Sequence, residues 1–209
     1  MRRWVAMLAI AVTTGGLAGP AAQGQGGGGG RATAPGQQKK AAAPAAADAQ
    51  PSPGAGPVIV FETAKGAFEM ETYPNEAPKS VEHILTLVRR NFYNGLRVHR
   101  VVKGQLVQFG DPLTRDMSKQ SYWGTGGSGK SIGVGEMNPK RKHLVGSVAL
   151  AHPGDPRLAD SQMYIMLIPQ PKYDKDYTVI GRVISGMDVV QKLQVTDVIR
   201  RATVKEQKK

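Results

Sequence analysis

Two stretches of the chain hold residues whose types and spacing could do chemistry. The octet Gly124–Ser131, GTGGSGKS, fits the pattern G-x-x-x-x-G-K-[ST], in which backbone N–H groups cradle a phosphate and a lysine reaches it. That chemistry needs an apolar strand to deliver the glycines and a helix beginning at the Lys-Ser pair, with its free N–H groups aimed at the phosphate. Neither is written here. Residues 116–123 (DMSKQSYW) contain no apolar run, and residues 132–139 (IGVGEMNP) put two glycines and a proline where the helix would begin. The apolar run Met163–Ile168 ends in Pro169, not in an acid that could hold magnesium. The octet therefore reads as a glycine-rich surface loop, and no nucleotide is expected.

The second stretch is Val98–Asp111, VHRVVKGQLVQFGD. A three-residue hairpin loop at Lys103–Gly104–Gln105 would set Arg100 beside Gln108 on one face, whereas a two-residue loop would set Arg100 against Val107. Arginine is always cationic and presents a planar fork of donors, and a neighbouring carboxamide can orient that fork or hold a ligand's carbonyl. Taken alone, such a pair is an ordinary surface contact, so its meaning depends on its surroundings. His83, His143 and His152 show no metal-ligand spacing with acidic partners, and no metal or other cofactor is expected.

The elements that must position these residues are short. Val58–Thr63 is an apolar strand, Lys65-Gly66 a turn signal, and Ala67–Tyr73 alternates with period two, which together read as a hairpin. Pro78 suits the first turn of a helix, and Val81, Ile84, Leu85 and Val88 follow at helical spacing up to about Asn91. Leu96–Val102, Gln105–Phe109, Gly146–Ala151, Met163–Ile168 and Thr178–Ile184 read as further strands, bounded by Gly, Pro or Asp. Met187–Leu193 reads as a second helix and Asp197–Val204 as a last strand. The fold class expected is mainly β: a closed, antiparallel eight-stranded β-barrel capped by two α-helices.

The first quarter of the 209 residues differs from the rest. MRRW precedes an uncharged run, Val5–Leu17, and then small residues, which is the layout of a secretory signal peptide over residues 1–24. The run is too short for a membrane span, so no integral membrane span is expected. Residues 25–57 are rich in Gly, Ala, Pro and Gln and read as a disordered linker. One domain is expected over residues 58–204, followed by a basic tail over 205–209. The chain has no cysteine, which excludes disulfides and thiolate chemistry. Net charge is +12, and 23 Lys and Arg against 15 Asp and Glu from Val58 onward leave +8. This favours acidic partners. The basic residues are scattered and aromatics few, so no nucleic-acid partner is expected. The product would be exported, periplasmic or secreted, and a monomer.

Val98–Asp111 resembles the cyclophilin signature F-H-R-V-I-x-G-F-M-x-Q-G-G-D. Further blocks follow in the family's order: Ala77–Glu82 (APKSVE) resembles its first helix start, Gly124–Gly129 its glycine loop, Ser147–Ala151 and Asp160–Tyr164 two of its strands, and Tyr177–Val190 (YTVIGRVISGMDVV) its closing block. The resemblance implies a cyclophilin-like fold and peptidyl-prolyl cis-trans isomerase activity on proline-containing peptides and unfolded client proteins. An X-Pro bond rotates over a barrier of about 18–20 kcal/mol. Twisting localises the lone pair on the prolyl nitrogen, and a fixed donor aimed there lowers the barrier. The resemblance assigns that role to Arg100, with Gln108 orienting it or holding a carbonyl. It implies a proline pocket from Leu106, Met163, Tyr164 and Tyr173, with Gln105, Gln162 and Tyr177 around it and the backbone of Ala151 and His152 meeting the peptide. His99 is expected to face the barrel as a structural residue. Gln105 stands where the family carries Phe, Phe109-Gly110 where it carries Gly-Gly, and Lys172 where some members carry Trp, so a weaker or differently selective pocket is implied; Tyr177 stands where many carry His, one aromatic donor replacing another. The alternative reading is a non-catalytic module of the same fold that holds proline-containing segments.

Overall fold

The computed structural model describes residues 56–205. The expected leader, nearly all of the expected linker and residues 206–209 lie outside the described residues. Strands β1 (Val58–Thr63) and β2 (Gly66–Thr72) form the hairpin legible in the sequence. Gly66 takes φ +128° in its turn, a conformation that side chains resist, and the Thr63 hydroxyl braces it by donating to Gly66 O at 2.8 Å. Ile59, Phe61, Phe68 and Met70 fall on one face and are buried.

Helix α1 (Pro78–Arg89) starts at the proline and buries Val81, Ile84, Leu85 and Val88. Its free N-terminal N–H groups are met from afar: Lys79 and Ser80 donate to the Glu136 carboxylate at 3.1 and 2.9 Å. Then follow β3 (Arg100–Val102), β4 (Leu106–Phe109), β5 (Ser147–Leu150), β6 (Met163–Met166), β7 (Val179–Ser185), α2 (Met187–Lys192) and β8 (Ile199–Lys205). The eight strands make one antiparallel sheet in the order β3-β4-β6-β5-β7-β2-β1-β8. Helix α1 packs at β8 and α2 at β2. No helix among the described residues is long and apolar enough to cross a membrane.

The expected barrel was closed; the sheet instead has two ends and forms a half-barrel. Strands β3 and β8 share no ladder. The chain just before each is joined by one antiparallel bridge, Arg97 to Val198, flanked by bonds from Val98 N to Asp197 O (2.9 Å) and from Ile199 N to Leu96 O (2.8 Å). These bonds divert residues 95–98 away from β4, so the strand expected over Leu96–Val102 shortens to Arg100–Val102. Leu96 and Val98 turn into the core with Phe61, Phe68, Tyr93 and Phe109, and the opposite face carries a smaller apolar cluster around Leu106, Tyr164 and Val179.

Candidate active site

The β3–β4 hairpin has the three-residue loop. Gly104 sits at φ +71°, Gln105 N donates to Val102 O at 2.8 Å, and the register pairs Arg100 with Gln108. That pairing continues across the sheet: Gln108 faces Tyr164 on β6, and Tyr164 faces Ala149 on β5. Arg100, Gln108, Tyr164 and Ala149 thus form one row over four strands, outside the main core. Strand pairing fixes the backbone of every member of the row.

Hydrogen bonds then run from the row into the glycine loop. An Arg100 Nη1–H donates to Gln108 Oε1 (3.1 Å), Gln108 Nε2 donates to Gln162 Oε1 (2.9 Å), and Gln162 Nε2 donates to the carbonyls of Gly124 (2.9 Å) and Gly126 (2.8 Å). Because each amide oxygen accepts and each amide nitrogen donates, the direction of the whole chain is set. Two carboxylates hold the loop from beneath. Asp111 accepts from the N–H groups of Gly124 (2.6 Å), Gly126 (3.1 Å) and Leu113 (2.8 Å). Asp160 accepts from Gly129 N (3.1 Å) and the Ser128 hydroxyl, and lies 3.0 Å from His83 Nε2. Burial alone would raise the Asp160 carboxyl, but these bonds hold it below the usual carboxylate range. The carboxylates approach so closely that a Cβ on Gly126 would stand 2.3 Å from Asp111 Oδ1, and one on Gly127 2.5 Å from Asp160 Oδ2. The glycines therefore serve the approach of two carboxylates, and N–H groups that a phosphate would need already have anionic acceptors.

A cavity of about 290 Å³ opens between this loop and the row, lined by Gln108, Gln162, Ala151, His152 and the glycines from Gly124 to Gly127 among others. Leu106 and Tyr164, both buried, have the partly buried Ala151, Tyr173 and Tyr177 packed against their cluster. Tyr164, Tyr173 and Tyr177 make an aromatic corner with centroids 5.2–6.2 Å apart. Burial pushes the Tyr164 and Tyr177 hydroxyls above their ordinary pKa, so both stay protonated at neutral pH. Tyr177 stacks on His152 (4.5 Å), whose Nδ1 accepts from Gly154 N (3.2 Å) and whose Nε2 therefore donates to Asp176 O (2.8 Å). Ala151 gives its N–H to Gln162 O at 2.9 Å.

The structure thus brings together Arg100, Gln108, Leu106, Ala151, His152, Gln162, Tyr164, Tyr173 and Tyr177. Gln105 is partly exposed in the hairpin turn, its carbonyl accepting from Leu167 N at 2.7 Å. Met163 does not join them. With Tyr164 facing the site, strand alternation turns Met163 into the main core, where it is fully buried. His99 also departs from expectation: Val98 takes the inward position, and His99 packs beneath Gly124. Burial lowers its pKa to about 4 against the pull of Asp111, and although Gln162 comes near, neither ring nitrogen completes a hydrogen bond. The partners that sequence reasoning missed are Asp111, Asp160 and the His143–Asp174 pair behind Tyr164. Their contacts to the glycine loop and the pocket wall span 13 to 32 residues, so local spacing does not show what they hold.

Comparison with known proteins gives the family and the fold. Residues 58–209 match the family described as cyclophilin type peptidyl-prolyl cis-trans isomerase/CLD. A peptidyl-prolyl cis-trans isomerase-like 1 of Aspergillus niger is 38% identical over 140 residues, 65% of this chain and 80% of that protein. A peptidyl-prolyl cis-trans isomerase of Arabidopsis thaliana is 37% identical over 145 residues, 67% and 82% of the two chains. Among solved structures, a cyclophilin-type isomerase of Cryptosporidium parvum superposes with TM-score 0.63 at 21% identity, covering 73% of this chain and 99% of its own. The same Cryptosporidium protein, solved in the presence of the dipeptide Ala-Pro, gives TM-score 0.62 at 21% identity, covering 72% of this chain and 99% of its own. The chain belongs to the cyclophilin family and is a peptidyl-prolyl cis-trans isomerase.

Proposed function

We propose that this isomerase works through Arg100, with Gln108 as its orienting partner and the aromatic corner of Leu106, Tyr164, Tyr173 and Tyr177 as the seat of the proline ring. The observation that carries this reading is the hydrogen-bonded series Arg100–Gln108–Gln162–glycine loop. One guanidinium nitrogen, Nη1, is committed to Gln108 Oε1, which leaves the other donors for a substrate. In the planar ground state the prolyl nitrogen shares its lone pair with the carbonyl and is a poor acceptor. In the twisted state the lone pair localises, and a donor already in place strengthens only then. The apolar corner holds the ring, while the Ala151 carbonyl and the cavity beside Gln162 receive the extended chain.

The substrates proposed are X-Pro segments of unfolded proteins, as the Ala-Pro dipeptide used with the Cryptosporidium relative suggests in miniature. The basic start and uncharged run over residues 1–17 support an exported client set, met in a periplasm or outside the cell. NMR exchange on short Ala-Pro peptides tests the core of this reading. Cis-trans exchange should accelerate with wild type and fall back toward the uncatalysed rate with Arg100→Ala. Binding without acceleration in the wild type would leave a module that only holds proline segments. Cell fractionation, with the mass of the mature N-terminus, tests export; full-length protein retained in the cytoplasm would overturn it.

A further inference from the structure

A buried polar chain stands behind the proline pocket, and the mechanism above leaves it unused. His143 has no exposed surface and sits between Tyr164 and Asp174. Its Nε2 is 3.0 Å from the Tyr164 hydroxyl, and its Nδ1 is 2.9 Å from Asp174 Oδ1, which also accepts the His143 backbone N–H at 2.8 Å. The imidazole lies nearly parallel to the Tyr164 ring, 18° apart with centroids at 6.0 Å, and edge-on to Tyr173 at 5.7 Å. All three tyrosines of the pocket corner therefore lean, directly or through one another, on this ring.

We infer that His143 is a positioning residue of the isomerase, which fixes the wall of the proline pocket through the Tyr164 hydroxyl and loosens the substrate when it takes up a proton. The inference rests on the reading of that corner as the proline pocket. Proton placement follows from the acceptors. Burial would raise the Asp174 carboxyl, but the bonds from His143 and the charge of Lys142 at 3.6 Å hold it below the usual range, so it is ionised and can only accept. Nδ1 thus carries the hydrogen, Nε2 is bare, and the Tyr164 O–H donates to it. A phenylalanine at position 164 would need nothing behind it. A tyrosine buried there must spend its hydroxyl on a partner, and His143 is that partner.

Protonation reverses the bond. An imidazolium donates from both nitrogens, so Nε2–H must point at the Tyr164 oxygen, and the hydroxyl hydrogen must turn away, toward the corner made by Tyr173 and Tyr177. A polar hydrogen then faces a site shaped for an uncharged pyrrolidine ring. The groups facing His143 from the surrounding elements are Asp174 with Lys142 behind it, Tyr164 on β6, and Tyr173 and Tyr177 on the segment before β7; the charge of Arg100 also reaches Tyr164 and Tyr177. Burial, against the pull of Asp174, places the His143 transition on the acid side of the ordinary histidine value.

The experiment is a pH series of kcat and KM on an Ala-Pro tetrapeptide by NMR exchange, which needs no auxiliary protease, for wild type, His143→Gln, His143→Phe and Tyr164→Phe. In the wild type KM should rise about threefold to tenfold on acidification, the size of one hydrogen bond, while kcat moves by less than about twofold. Glutamine can accept from Tyr164 and donate to Asp174 but cannot titrate, so His143→Gln should restore the neutral-pH KM relative to His143→Phe and show no acid limb. Tyr164→Phe should lack the acid limb too. An acid limb that survives in His143→Gln, or one carried by kcat, would overturn the inference. Should His143→Phe fail to fold, the glutamine variant and Tyr164→Phe carry the test. Independently of activity, ¹⁵N NMR of the histidine ring should report a bare Nε2 at neutral pH; the opposite tautomer would also overturn it. A wild type that shows the expected tautomer yet binds no proline peptide would sink the pocket reading instead.

Discussion

The two faces of the sheet share their strands but are built from different chemistry. On the inner face Phe61, Phe68, Tyr93 and Phe109 pack as a four-ring group, with Phe61 stacked on Phe68 at 5.0 Å and edge-on to Phe109 at 5.4 Å. Its polar atom, the Tyr93 hydroxyl, is spent on Ser161 O at 2.9 Å. On the outer face the rings are tyrosines, and amides, a guanidinium and a buried histidine stand among them. Strand β6 shows the division in four residues: Met163 and Ile165 join the inner core, Tyr164 and Met166 the outer cluster. The inner face stabilises by removing carbon from water. The outer face pairs most of the polar groups it buries, the Tyr73 hydroxyl and the His99 ring aside, and those partners hold the groove in shape. Stability and catalysis should therefore separate cleanly by face.

The largest effect that could break this separation is on the inner side. Phe109→Ala removes a central ring and should cost about 3–5 kcal/mol of stability, read as a lower urea midpoint, while the folded fraction keeps its kcat/KM. A loss of specific activity in the folded fraction would show that the faces are coupled. On the outer side, Arg100→Ala should lower kcat/KM roughly 10²- to 10³-fold. The thermal midpoint should hardly move, and Arg100→Lys should recover little, because a point ammonium does not reproduce the fork. Equal activity in wild type and mutant would remove Arg100 from catalysis.

Acid should probe the polar layer between loop and sheet. His99 has a folded pKa of about 4 against an ordinary 6.5, so between those values the unfolded chain binds the proton and the folded one does not. Stability is therefore full above pH 6.5 and falls as pH drops toward 4, with His99 contributing about 3 kcal/mol of that loss. His143, lowered for the same reason, acts in the same direction. Urea midpoints at pH 7 and pH 4 should differ less in His99→Phe than in wild type; an identical difference would mean the ring already has a partner.

Two smaller effects sharpen the picture. Gln162→Ala cuts the tie from Gln108 to the glycine loop and should reduce kcat/KM about tenfold, and because it strands the Gln108 amide and the Gly124 and Gly126 carbonyls it should also cost about 1–3 kcal/mol of stability. No change would make the loop a bystander. Lys130→Ala should change nothing. The N–H groups of Gly124, Gly126 and Gly129 donate to carboxylates, so calorimetry with ATP should detect no binding by either form. A micromolar dissociation constant lost in the mutant would restore the phosphate reading of the octet.

Much of the fold was legible because its signals are local. The Lys65-Gly66 turn, the proline opening α1 and the alternation of Ala67–Tyr73 each announce an element within a few residues. Arg100 and Gln108 were legible as a pair once the loop length was chosen, but the sequence left that choice open between two and three residues. The facing of Met163 was not legible. Residues 163–166, MYIM, are apolar throughout, and a period of two has no phase when every position is apolar. The shortening of the Leu96–Val102 strand depended on residues 196–199, a pairing across about a hundred positions.

By itself the sequence determined which residues could act and in what order along the chain: a fixed cation beside an amide, a set of glycines, three tyrosines near one another, and the ordered blocks that place the chain in its family. Only the tertiary structure decided what they are attached to. It turned the glycines toward Asp111 and Asp160 instead of a phosphate, tied them through Gln162 to Arg100, and put His143 and Asp174 behind Tyr164. Composition and periodicity report on backbone and burial, which are local. Hydrogen-bond partners are chosen by direction and distance in space, and those exist only after the sheet has brought distant strands together.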